Sequence, residues 1–107
     1  MSSFDKREEG FEKKFALDSE QKFKAEARRN KLLGLWAAEK LGITGDDAAA
    51  YAREVVAADF EEAGDQDVQN KVVKDLAAKG IAVTAAEVRV KMDELMAQAA
   101  AQVKAGT

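Results

Sequence analysis

Apolar residues recur along this chain at three- and four-residue spacings, the period of a helix with one buried face. Ala48, Tyr51, Ala52, Val55, Val56 and Phe60 fall on one side of a helix. Val68, Val72, Val73 and Leu76 do the same further on, as do Val88, Met92, Leu95, Met96, Ala99 and Val103. No stretch alternates with period two for long enough to make a strand. Breaks between these runs carry start and stop signals. Asp18 with Gln21, Thr44 with Asp47, Asp65 before an acidic first turn, and Thr84 with Glu87 read as helix starts. Thr84 with Glu87 fits a reciprocal capping box, in which each side chain takes up an otherwise orphan amide of the first turn. Gly42, Gly64, Gly80 and Gly106 read as stops where a left-handed residue is wanted, with Ile43 and Ile81 supplying the apolar contact that follows such a turn. Val83 and Val88 flank Thr84 as a hydrophobic staple. GITGDD, at 42–47, lacks the GK[ST] of a phosphate-binding loop and reads as one helix ending and the next beginning.

The pattern predicts an all-α fold: a four-helix bundle over residues 18–107, with helices at about 18–41, 45–63, 66–79 and 85–105, preceded by a flexible, partly helical N-terminal arm, residues 1–17. Short connections favour antiparallel neighbours. The first helix differs from the others, because LLGLWAAEKL at 32–41 is apolar nearly all the way round. Such a helix is enclosed by several neighbours or keeps a face for a partner. Gly34 lies on the stripe of Phe23, Ala27, Ala37 and Leu41, where a missing side chain allows close helix approach. Trp36 and Leu32 lie opposite that stripe.

In the arm, Phe4, Phe11 and Phe15 fall within a sector of roughly 40° on a helix. Asp18 and Lys22 then interrupt the stripe, and the bundle face starts from Phe23, rotated by about a quarter turn. The phenylalanines therefore form a separate apolar edge. Burying three of them falls short of the backbone entropy of ordering the segment, and Gly10 weakens its helix further. The expectation is an arm mobile on its own that turns helical in a groove on another protein.

Composition narrows the chemistry. With 107 residues there is room for one domain, and the hydrophobic fraction of 47% is rich in alanine, so the core should be lean. The chain has no cysteine, histidine or proline. Thiol and histidine nucleophiles are thereby excluded, and the usual zinc, copper and haem ligands are missing. The serines sit at the start or beside a cap, so no catalytic residue, metal site or cofactor is expected. Asp59, Glu62, Asp65 and Asp67 lack the spacing of a calcium loop and read as helix ends and solvated surface. A net charge of −3 argues against nucleic acid, although Lys22, Lys24, Arg28, Arg29 and Lys31 make a local basic stretch against Glu26. No signal-like or membrane-spanning run is seen, giving the expectation of a cytoplasmic protein, monomeric when free.

FDKREEGFEKKF, FKAEARRNKLLGLWAAEKLG, YAREVV and DFEEAGDQDV together resemble the zeta subunit of alphaproteobacterial F-type ATPases. The similarity runs strongly from Phe4 to Asp75 and more loosely through KMDELMAQAAAQVKAG. That resemblance implies an inhibitor of the F1 head, whose N-terminal region enters a catalytic α/β interface near γ and stops ATP hydrolysis. Its partners would be the F1 α, β and γ subunits, and it would sit at the inner membrane only through F1. Carried over by position, the inhibitory segment matches Phe4, Asp5, Arg7, Glu8, Phe11, Glu12 and Phe15. A second contact face would comprise Arg28, Arg29, Leu32 and Trp36. Where the family commonly has a histidine at the arm–bundle junction this chain has Leu17, and where it often has a proline in the EE-x-G turn this chain has Ala63. Two other readings stay open on the residues alone: a generic helical adaptor, and a bundle that binds a small ligand such as an adenine nucleotide.

Overall fold

The computed structural model describes residues 17–59 and 65–106. Four helices make up the described chain: α1 (Ser19–Leu41), α2 (Gly45–Ala58), α3 (Gln66–Ala78) and α4 (Ala85–Lys104). There is no strand among the described residues. The arm's residues 1–16, with Phe4, Asp5, Arg7, Glu8, Phe11, Glu12 and Phe15, lie outside the described residues, as do Phe60 and Gly64.

Local signals account for most boundaries. The Asp18 carboxylate accepts from the Gln21 amide at 2.7 Å, and the Gln21 side chain accepts from the Asp18 amide at 3.2 Å. The complete capping box is therefore here. At Thr84 the hydroxyl accepts from the Glu87 amide at 3.1 Å, but the reciprocal bond expected from Glu87 is not made. Thr44 occupies the N-cap of α2 without a side-chain bond. Gly42 and Gly80 adopt φ of 77° and 76°, and the amides of Ile43 and Ile81 reach back to Ala38 and Leu76, each at 3.0 Å. These are the paired bonds of a Schellman turn.

One boundary moves. α2 ends at Ala58, with Asp59 as its cap, rather than running to 63. There the Asp59 amide bonds to Val56, three residues back, so the last turn tightens and closes before the expected glycine.

The core is lean, as the alanine content implies. Leu33, Leu76 and Met92 are its largest fully buried side chains, joined by Val55, Val68, Val72 and Val88. α1 is the central element: it packs against the other three helices, most extensively α2 and α4. At the α1–α2 crossing, a Cβ placed on Gly34 would stand 2.6 Å from the Ala52 Cα. The two backbones meet there with no side chain between them. Meanwhile α2 and α4 flank α1 without packing on each other.

Candidate functional site

The open seam between α2 and α4 leaves a groove over the first half of α1. It encloses about 650 Å³ and is lined by Phe23, Ala27, Val56 and Val103, with Lys24, Arg28 and Lys31 along its rim. Sequence periodicity placed Phe23 on the bundle face, yet its ring is 58% exposed. The reason lies in the shortened α2, whose described residues stop beside Phe23 instead of continuing past it. Lys24 and Lys31 are exposed, and Lys24 pairs with Glu20 one turn back at 3.3 Å. Arg28 is half-buried, with Nη1 donating to Gln102 Oε1 at 3.4 Å. The four residues read as a second contact face do not act as one. Leu32 and Trp36 are partly buried against the core, and the Lys40 ammonium stands 5.0 Å from the Trp36 ring centre. Arg29 is the correction: it is buried, turned into the bundle rather than outward.

What Arg29 reaches is a polar cluster that sequence reading missed. Its Nε donates to Asn30 Oδ1 at 3.1 Å and its Nη1 to Asp65 Oδ2 at 3.2 Å. Arg89, on α4, grips the same carboxylate with both terminal nitrogens, each 2.9 Å from an Asp65 oxygen. Its Nη2 also donates to Gln69 Oε1 at 2.8 Å, while Gln69 Nε2 donates to the Ala85 carbonyl at 2.9 Å. Asp65 therefore ties α1 and α4 to the start of α3, where sequence reading had assigned it a cap and solvated surface. Its side chain makes no cap bond. The hydrogen-bonded Arg89 guanidinium holds the Asp65 carboxyl below the ordinary carboxylate range; partial burial opposes this, and the charges of Arg89 and Arg29 add to it. The sequence spacings of 36 and 24 residues offered no signal for these pairs.

A second polar contact joins α2 to α3. Tyr51 donates its hydroxyl to Asp75 Oδ2 at 2.8 Å, and Lys71 lies 3.0 Å from the same oxygen. Burial first, and then the Asp75 hydrogen bond, push the Tyr51 hydroxyl above its ordinary pKa. Among the described residues no group of three or more His, Cys, Asp or Glu side chains could hold a metal ion, and no helix is long and apolar enough to cross a membrane.

Polar groups inside the bundle are thus engaged in holding helices together, whereas the groove offers apolar surface edged with charge. A small all-α bundle of this make-up is a module for binding another macromolecule. The family model for ATPase inhibitor subunit zeta matches residues 1–102, and the chain belongs to that family. Its role is accordingly that of an ATPase inhibitor, and its partner an ATPase. A solved structure, entitled "Solution NMR structure of the protein", is similar, with a TM-score of 0.69 and 60% identity over 79% of this chain and 96% of that one. No curated protein matches.

Proposed function

We propose that the chain inhibits ATP hydrolysis by the F1 head of a bacterial F-type ATP synthase, through insertion of residues 1–17 into a catalytic α/β interface near γ. The observation that carries this reading is the span of the family match, which starts at residue 1 and so takes in the arm as well as the bundle. Rotary hydrolysis needs each catalytic interface to open and close in turn. A segment that binds one conformation better than the others shifts the population toward it and halts the cycle. Phe11 and Phe15 act as anchors, with Phe4 completing the apolar edge. Asp5, Arg7, Glu8 and Glu12 set register and orientation. The protein reaches the inner membrane only through F1.

ATP hydrolysis by cognate F1 is measured with the full chain and with a chain beginning at Asp18. The full chain inhibits and the shortened one does not. Phe11→Ala in the full chain weakens inhibition by about 1 kcal/mol or more, on the order of fivefold, with the helical content unchanged. A shortened chain that inhibits as well as the intact one transfers the function from the arm to the bundle.

A further inference from the structure

The arm reading makes no use of the groove over α1. Its floor is apolar, from Phe23, Ala27, Val56 and Val103, and no acidic side chain lines it. Lys24, Arg28 and Lys31 follow one another at four- and three-residue spacings, a cationic rail roughly 10 Å long on one edge of the helix. We propose that this groove docks an acidic, partly apolar segment of the same ATPase that receives the arm, so that the bundle holds the outside of the catalytic head. The inference rests on the arm reading for the identity of its partner.

Position supports it. The lining starts at Gln21, within the first turn of α1, and α1 follows the arm directly. An arm inserted in the motor brings this end of the bundle, rather than the Gly42 end, against the partner's surface. Charge supports it too. The whole chain carries −3, so an acidic partner is repelled by most of the bundle and attracted along the rail, which selects one docking orientation. Glu20 competes for Lys24, but both side chains of that pair are more than half exposed, and such pairs are readily exchanged. The concave shape suits a protruding segment better than a flat lipid surface. Leu35, the exposed leucine further along α1, lines no such groove.

The test uses the full chain carrying Lys24→Glu together with Lys31→Glu, assayed as an inhibitor of purified cognate F1 at low ionic strength and at ~0.5 M salt. The double reversal should raise the inhibition constant roughly tenfold at low salt and flatten its salt dependence, with helical content and thermal midpoint unchanged. A photo-crosslinker in place of Lys31, in an otherwise unaltered chain, should yield an adduct on an acidic stretch of an F1 subunit. The groove proposal is overturned if the reversed chain matches the original in potency and salt dependence. It is equally overturned if the crosslink falls on residues 1–16 of the same chain, on a second copy, or nowhere while inhibition persists. An unaltered chain that leaves hydrolysis untouched overturns the arm reading, and the groove's assigned partner with it.

Discussion

α1 is held to its neighbours in two opposite ways. Against α2 it uses absence: Gly34 lets the backbone of α1 settle on Ala52, with Val55 beside it. Against α3 and α4 it uses charge: Arg29 and Arg89 converge on Asp65 from two helices. The first contact is dry, unaffected by pH or salt, and intolerant of any added atom. The second is polar, partly solvated, and depends on protonation. A small bundle can combine both because each compensates for a lean core, one through close packing of backbone and the other by cross-linking distant segments.

The largest effect should come from filling the seam. Gly34→Ala gains about 1 kcal/mol in helix propensity, but its methyl must displace backbone, an overpacking cost of roughly 1–3 kcal/mol. Gly34→Val adds further bulk and lowers propensity, and should destabilise by about 3 kcal/mol or more, read as a lower denaturation midpoint. A Gly34→Ala variant more stable than the original would show that the helices can part there at little cost.

Next is Asp65→Ala, which leaves buried Arg29 without its carboxylate. A fully buried pair would lose more, but the Asp65 side chain is 31% exposed and water screens part of the interaction. The expected loss is about 1–3 kcal/mol by chemical denaturation. Asp65 also sets the acid limb of stability. Its folded pKa is depressed, so the unfolded chain takes up the proton first as pH falls. The contribution is complete above the ordinary carboxylate range and disappears below about pH 4, as pH drops through the folded value. Asp65→Asn should therefore lose stability less steeply between pH 5 and 2 in thermal melts. Between pH 5 and 8 the chain has no histidine to titrate, so its melting temperature should be nearly flat there.

Smallest are the caps. Thr84→Ala removes a hydroxyl that satisfies the Glu87 amide and should cost about 1 kcal/mol. Thr44→Ala removes no cap bond and should cost only a few tenths. Equal losses at the two threonines would mean that the hydroxyl of Thr44 is engaged as well.

Four helices were legible because the information for them is local. Gly42 and Gly80 supply a left-handed residue, and Val68, Val72 and Leu76 repeat at the helical period. The place of Gly34 was legible too, since only a residue without a side chain suits a crossing on that face. What could not be read were consequences of where one helix ends. Once α2 closes at Ala58, Phe23 loses the cover that periodicity assigned to it, and the groove appears. Arg29 was misplaced for a related reason. Five basic residues over ten positions look like one solvated face, and only the fold reveals that an acid far along the chain draws one of them inward.

The reciprocal bonds at Asp18 carry a mechanical implication. Residue 18 is extended, with φ −73° and ψ 175°, and both of its capping contacts close α1 against growth toward the N-terminus. Extending that helix backward would break both, at about 1 kcal/mol. A pull on the leading segment therefore meets a swivel before it meets the bundle. Torque from a turning shaft would be spent in reorienting that joint, leaving the four helices behind it undistorted.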